Sequence, residues 1–346
     1  MLKIKLLSAE IHRNECTYRP FIQHRDWFRE AGIRFIVEGQ DYDLTMVAQH
    51  SFCNKNSSYQ TSIDTGKRFL ERIEGDFVLI DGQDSASLVG TYDVFKESNA
   101  KLLLKNTLYR DKSDYSKRSV HGRTYWGESQ GEWEYNYKID EPDFSNIILS
   151  GTNWLSTVNP QWYDYKKLRK DIDVCALFAY PGKENHEFNR LTSKFYNEHR
   201  EKCIKEINQL PASIKVAKLE VGERVPIEEY YQLMSRSKIL IAPFGYGEIA
   251  PRDLESAMLG CILIKPDMDH LETIPNIYDP RLTYCPCKWD FSDLNQVIED
   301  NLNNHSEDQL YLVENMRSAY KTEYHPEKLV KWTHQWLSKL PGFGYE

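Results

Sequence analysis

Residues 237–267 read SKILIAPFGYGEIAPRDLESAMLGCILIKPD. The run Ile239-Leu240-Ile241-Ala242 is short, apolar and β-branched, the pattern of a strand buried on both faces. A glycine-punctuated turn follows, Pro243-Phe244-Gly245-Tyr246-Gly247-Glu248, and then a helical run over 252–259 that Gly260 stops. Cys261-Ile262-Leu263-Ile264 is a second buried strand. Strand, glycine loop, helix, glycine stop and strand make a βαβ unit. Arg252, Asp253 and Glu255 fall in the first turns of that helix. They lie beside the loop at the strand's C-terminal end, the edge where open parallel sheets bind ligands. A cation, carboxylates and free N–H groups at a helix start suit a phosphorylated, hydroxyl-bearing ligand such as a sugar nucleotide.

Outward from this segment, the same alternation recurs. Toward the N-terminus, 3–8 (KIKLLS) reads as a first strand, 19–31 as a helix ended by Gly32, and 34–38 (RFIVE) and 44–48 (LTMVA) as strands. Residues 49–66 are polar and read as loop, 67–74 as a short helix, and 76–80 (DFVLI) as a clear strand. A helix to about residue 98 and a strand over 101–105 (KLLLK) complete this half. Strands alternating with helices imply a largely parallel α/β sheet. Between residues 109 and 159 the pattern is lost; the stretch is polar, aromatic and glycine-rich, with one apolar run, Ile147-Ile148-Leu149. So many Trp and Tyr argue against disorder. A second α/β series then runs through a strand at 173–179, a long helix at 188–210, a strand at 214–219 and a helix at 226–235. After the βαβ unit come a strand at 282–285 and helices at 291–302, 307–320 and 326–340. The chain is thus expected to form two α/β domains, residues 1–165 and 166–346.

A length of 346 residues suffices for two ordinary domains, and 40% hydrophobic with 28% charged residues is a globular balance. The formal net charge of −8 lacks the basic surplus of a general nucleic-acid binder, so no nucleic-acid partner is expected. No run approaches the roughly 18 apolar residues of a membrane span, and 1–7 is too short for a signal peptide. The seven cysteines are odd in number and mostly isolated, and Cys285-Pro286-Cys287 has neither redox nor zinc spacing. A reduced, cytoplasmic protein without structural metal is the expectation.

The helix of the opening segment resembles a known pattern. Arg252-x-x-Glu255-x-x-x-x-Gly260-Cys261-Ile262-x-Ile264 resembles the exostosin-like glycosyltransferases. Its Glu255-to-Gly260 end is also similar to the second half of the E-x7-E motif of other glycosyltransferases with two Rossmann-like domains facing a central cleft (GT-B type). Eight residues before Glu255 stands Gly247, not an acid, and Glu248 is one place off, so the exostosin form fits better. The resemblance implies that the C-terminal half binds a nucleotide sugar. Glu255 would take the ribose hydroxyls and Arg252 the diphosphate or sugar, with Gly245, Tyr246, Gly247, Glu248 and Asp253 around them. Lys183 and Arg190 would add phosphate contacts. It also implies an inverting reaction needing no cofactor or divalent metal, because a helix N-terminus and Arg stabilise the departing diphosphate. The residues themselves leave blander readings open: a glycine turn occurs in many α/β proteins, and Arg and Glu three apart on a helix form surface pairs.

Transfer to a hydroxyl needs a base within hydrogen-bond reach of the acceptor oxygen. Strand ends of the N-terminal half offer Asp81 and Asp84 after DFVLI, His50 after LTMVA, and His12 after the first strand. A helix cap is the competing role for Asp84. Three Asp-x-Asp triplets (41–43, 171–173, 267–269) could hold a metal, and the last, followed by His270, is best placed. Trp126, Trp133, Trp154 and Trp162 could form a stacking surface for a glycan acceptor or cover a core. A nucleotide-sugar epimerase or a non-catalytic carbohydrate-binding module would share the architecture; only transfer requires an acceptor.

Overall fold

Continuous apolar runs become parallel strands covered on both faces. The computed structural model describes residues 1–7, 15–49, 59–128, 136–151, 163–178, 190–220, 222–303 and 307–343. They form two units, Met1–Asn159 with Leu271–Asn276 and Tyr324–Glu346, and Pro160–His270 with Ile277–Glu323.

The first unit runs β1 (Leu2–Leu7), α1 (Glu15–Gln23), α2 (Arg25–Glu30), β2 (Ile33–Ile36), β3 (Leu44–Ala48), α3 (Tyr59–Leu70), β4 (Phe77–Ile80), α4 (Thr91–Lys96) and β5 (Leu103–Lys105). Short strands β6 (Thr107–Tyr109), β7 (Ser119–Val120) and β8 (Asn136–Tyr137) precede β9 (Ile147–Leu149). The main sheet has the order β2-β1-β3-β4-β5-β9, all parallel. Every residue of β3 and β4 is buried, which is why these stretches are apolar throughout rather than alternating. Where β1 and β3 end, the Tyr18 hydroxyl accepts from Ala48 N at 2.7 Å and lies 2.6 Å from the Leu7 carbonyl.

The second unit begins with β10 (Ile172–Ala176), α5 (Arg190–Ile207), β11 (Val216–Lys218), α6 (Ile227–Ser235), β12 (Ser237–Ile241), α7 (Pro251–Leu259) and β13 (Ile262–Pro266). The chain then lends β14 (Leu271–Thr273) to the first unit, antiparallel to β6. It continues in the second with β15 (Cys285–Cys287), α8 (Leu294–Asn303) and α9 (Glu307–Glu323). The last helix, α10 (Pro326–Leu337), buries Leu329, Trp336 and Leu337 in the first unit's core with Phe21, Phe28 and Leu44. The second sheet is parallel with the order β11-β10-β12-β13-β15. Counted along each unit, both sheets share the doubly wound order 2-1-3-4-5, with β9 added to the first. The expected α/β class with two Rossmann-like domains is what the chain forms.

Three local expectations differ from the structure. The single helix over 19–31 is two helices, because the chain leaves helical backbone at His24 (φ −104°, ψ 24°). Helix α3 starts at Tyr59, inside the expected loop; its polar Ser, Thr and Gln positions dilute an apolar face that buries Ile63 and Leu70. Ile147–Leu149, an isolated apolar run in sequence, is the sixth strand of the main sheet. The five described thiols are free and buried. Burial pushes Cys285 up to about 11 and Cys175 up to about 12, so they pack as small hydrophobes. Among the described residues no helix is long and apolar enough to cross a membrane.

The C-terminus of α7 is fixed from outside and inside. Arg317 of α9 donates from Nη1 to the Ala257 and Met258 carbonyls at 2.7 and 2.9 Å, satisfying helix-end acceptors. Gly260 closes the helix in the left-handed region, φ +67°, and a Cβ there would lie 2.2 Å from the Tyr165 ring. Gly222 has φ +76° with nothing within 4 Å of its Cβ position. Gly260→Ala therefore combines backbone strain with a clash and is expected to cost about 2–5 kcal/mol. Gly222→Ala carries only the strain, about 1 kcal/mol. Urea denaturation midpoints of the two variants check the difference.

Candidate functional site

In a 2-1-3-4-5 sheet, the strands flanking the switch point send their connections to opposite faces and leave a crevice at their C-terminal ends. In the second unit these strands are β10 and β12. Strand β10 runs out into buried Leu177 and Phe178, and β12 into Ala242 and the loop 243–250. The loop folds tightly, with Gly245 N donating to the Gly247 carbonyl at 2.9 Å. A Cβ at Gly245 would stand 3.2 Å from Arg200 Nη2, so glycine lets the backbone lie against that guanidinium. Arg200, from α5, is itself buried and stacks over the Tyr196 ring at 4.0 Å. Tyr246, exposed on the loop, stacks on Tyr196 with ring centroids 4.9 Å apart.

Helix α7 begins with Pro251 at its first turn, and Asp253 reaches back to accept from Ala250 N at 3.1 Å, half of a capping box. Arg252 points over the end of β10. Its Nε lies 3.4 Å from the Leu177 carbonyl and its Cζ 6.0 Å from the Phe178 ring, the ring that Arg200 also approaches, at 5.6 Å. Among the described residues Arg252 forms no ion pair. One turn on, Glu255 is 6% exposed and accepts from the hydroxyls of Tyr230 at 2.7 Å and Tyr231 at 3.2 Å, both on α6. Burial raises its pKa above the ordinary glutamate value, against the opposing pull of the Tyr230 bond and of Arg252. Burial also pushes the Tyr231 phenol up to about 12, which keeps it a donor. Each carboxylate oxygen retains a lone pair after accepting one tyrosine bond.

Behind the loop lies a fully buried ion pair. Lys265 of β13 donates to Asp253 Oδ2 at 2.6 Å and to the Glu248 carbonyl at 2.8 Å. The Tyr278 hydroxyl donates to the same Asp253 oxygen at 2.6 Å.

The structure thus gathers Gly245, Tyr246, Gly247, Glu248, Arg252, Asp253 and Glu255 at one sheet edge. Arg252 and Glu255 do not form the surface pair that their spacing allows. Lys183 and His50 lie outside the described residues, as do His12, Trp133, Trp154 and Trp162, and only the backbone of Arg190 is described. In the first unit, Asp81 is fully buried in an ion pair with equally buried Lys105, 3.0 Å away. Asp84 is exposed on the loop after β4. Neither caps α4, whose N-cap is Gly90. Two Asp-x-Asp triplets are engaged in ion pairs: Asp41 with Lys3, Asp171 with Arg236 at 2.8 Å, and Asp173 with Lys238 at 2.7 Å. In the third, Asp269 N donates to Asp267 Oδ1 at 2.7 Å. Trp126 is buried, with Arg123 4.8 Å from its ring. Arg200, Tyr230, Tyr231, Lys265 and Tyr278 are not among the site residues expected from sequence. Only Lys265 carried a signal, since a lysine inside an apolar strand run requires a buried carboxylate partner.

No protein-family model matches the chain, and no curated protein matches it in sequence. Solved structures of similar layout include an α-glucosyltransferase in complex with UDP-glucose and DNA containing an abasic site (11% identity, 97% of this chain and 98% of that one, TM-score 0.48). Others are Anabaena HepE in complex with UDP and glucose (11%, 98% and 100%, TM-score 0.47) and sucrose-phosphate synthase from Thermosynechococcus elongatus (13%, 90% and 74%, TM-score 0.47). Likeness at this level assigns no residue a role. It does correct one expectation: the α-glucosyltransferase is solved with DNA, so the exclusion of a nucleic-acid partner on net charge is withdrawn. Total charge does not report the local field of a face.

The raised pKa of Glu255 has a defined sign. A carboxyl that holds its proton more tightly folded than unfolded makes stability fall as pH rises from the unfolded value, near 4.5, through the folded one. Glu255→Gln removes that dependence. Thermal melts from pH 4 to 8 should show wild type losing stability relative to Glu255→Gln as pH rises above about 4.5, the loss levelling off once the folded-state value is passed.

Proposed function

We propose that the chain is a glycosyltransferase whose second unit binds a nucleotide-sugar donor at the β10/β12 edge. The observation that supports this reading is the placement of Arg252 and Glu255 at the switch point, one turn apart at the start of α7. The helix N-terminus and Arg252 offer positive charge to a diphosphate. The remaining lone pairs of Glu255 suit vicinal hydroxyls, such as those of a ribose. Gly245 and Gly247 allow phosphate oxygens to approach backbone N–H groups.

In the reaction, the acceptor oxygen forms a bond to the anomeric carbon as the bond to the diphosphate breaks, and the acceptor proton passes to a base. The acceptor is a glycan or other hydroxyl compound, and we assign the base to Asp84. It is the exposed carboxylate of the two candidates after β4, whereas Asp81 is enclosed with Lys105. Attack opposite the leaving group gives inversion. Charge on the leaving diphosphate is met by Arg252 and the α7 N-terminus, so no divalent metal is required.

Thermal-shift titration with UDP and GDP tests the donor site, since a ligand stabilises the native state by RT ln(1 + [L]/Kd). At least one diphosphate should raise the melting temperature of wild type. Arg252→Ala should weaken it about ten- to hundredfold, the range of a hydrogen bond to a charged group, while leaving the parent nucleoside little affected. Failure of wild type to bind either diphosphate would remove the basis of the assignment. For the base, nucleoside diphosphate release against acceptor should be lost in Asp84→Asn with donor affinity intact.

A further inference from the structure

The sequence places Asp253 beside Arg252 and Glu255, as though all three faced the ligand. The geometry separates them. Asp253 is fully buried, and its Oδ2 alone receives Lys265, the Tyr278 hydroxyl and the Ala250 N–H, at 2.6, 2.6 and 3.1 Å. Lys265 stands on β13 and bonds both to this carboxylate and to the carbonyl of Glu248, 2.8 Å away. Its ammonium lies 4.6 Å from the Tyr278 ring and 5.8 Å from the Phe244 ring.

These contacts tie three points of the glycine loop to the sheet: Phe244 at its start, the Glu248 carbonyl in its second half and the Ala250 N–H at the helix cap. Between the first two lie Gly245 and Gly247, which have no side chains of their own to hold the loop. Beside the Gly245–Gly247 bond and the Tyr246–Tyr196 stack, the ion pair behind the loop is what joins its second half to β13. Lys265 is itself fully buried, and a buried ammonium without a carboxylate is not tolerated. One charge pair thus touches both the second half of the loop and the α7 N-terminus.

We infer that Lys265, Asp253 and Tyr278 form a positioning clamp that holds loop 243–250 in the form that accepts a diphosphate, with no contact of their own to the ligand. The ligand half of this inference rests on the nucleotide-sugar reading; the loop half does not.

The test uses the full chain and four variants: Lys265→Met, Asp253→Asn, the double Lys265→Met/Asp253→Asn, and the milder Tyr278→Phe. Breaking a buried pair from one side leaves an uncompensated charge, whereas removing both charges is far less disruptive. The double variant should accordingly recover much of the melting temperature lost in Lys265→Met or Asp253→Asn. If the pair were merely structural, recovered stability would bring recovered function. A clamp predicts otherwise, because the Glu248 carbonyl is still released.

Two readouts are taken on the folded double variant and on Tyr278→Phe. Amide exchange over 244–250 should accelerate roughly tenfold or more while β10 to β13 stay protected, and UDP or GDP should bind roughly tenfold more weakly or worse. Tyr278→Phe should shift both in the same direction by less. Unchanged exchange in the loop, or a dissociation constant within about twofold of wild type, overturns the clamp. Wild type that binds neither UDP nor GDP, with loop exchange still responding to the double variant, overturns the nucleotide-sugar reading alone.

Discussion

A parallel strand covered on both faces has nowhere to place a charge except at its ends. That constraint shapes both units. In the second sheet β10, β12 and β13 are apolar almost throughout, and the ionisable groups of the site gather past their C-terminal ends or on the helix that follows. Lys265 is the exception, a lysine within a strand whose every residue is buried. It persists because the Asp253 carboxylate and the Glu248 carbonyl accept the hydrogen bonds that water would otherwise accept, with the Tyr278 ring 4.6 Å from its ammonium. Removing any one of them leaves the others in a medium of low dielectric, where an unmade hydrogen bond costs more than a made one gains.

The electrostatics of the edge follow from the same burial. Arg252 and Arg200 both border Phe178, whose ring face attracts cations, so two guanidinium groups are held near one strand end without either joining an ion pair to Glu255. Glu255 instead takes its hydrogen bonds from two tyrosines. Neutral donors stabilise a carboxylate less than a cation does, which fits a pKa raised by burial rather than lowered by Arg252. The consequence is a cation left to act on something other than its own helix.

How much of this was legible depended on whether the signal was local. The strands LTMVA and DFVLI and the segment 237–267 carry their burial in consecutive residues, and the structure places strands there. The α7 stop at Gly260 was equally plain, though its reason, the Tyr165 ring against the helix end, is a contact across 95 residues that no window reveals. Helix α3 and strand β9 were obscured because polar or irregular neighbours break their period, and tertiary packing decided both. At the site, Arg252 and Glu255 stood out through spacing on one helix. Tyr230 and Tyr231 did not, since a tyrosine pair on an amphipathic helix reads as packing. The role of Asp253 was not legible at all: a carboxylate at a helix start serves a ligand, a cap or a buried lysine with the same residue pattern.

Among the described residues each unit buries one lysine–aspartate pair near the C-terminal edge of its sheet, and the two pairs differ in what they join. In the first unit Lys105 and Asp81 come from the ends of neighbouring strands β5 and β4, so their attraction ties strand to strand and stiffens an edge that is already hydrogen-bonded. In the second, Lys265 comes from a strand but Asp253 comes from the helix beyond the glycine loop. Its attraction is carried through the loop, across residues that secondary structure does not fix. A charge pair between hydrogen-bonded strands adds little order there; one that bridges a strand, a loop carbonyl and a helix start adds an anchor that the secondary structure does not supply. The second edge therefore carries a glycine loop anchored from behind, beside a helix start and Arg252.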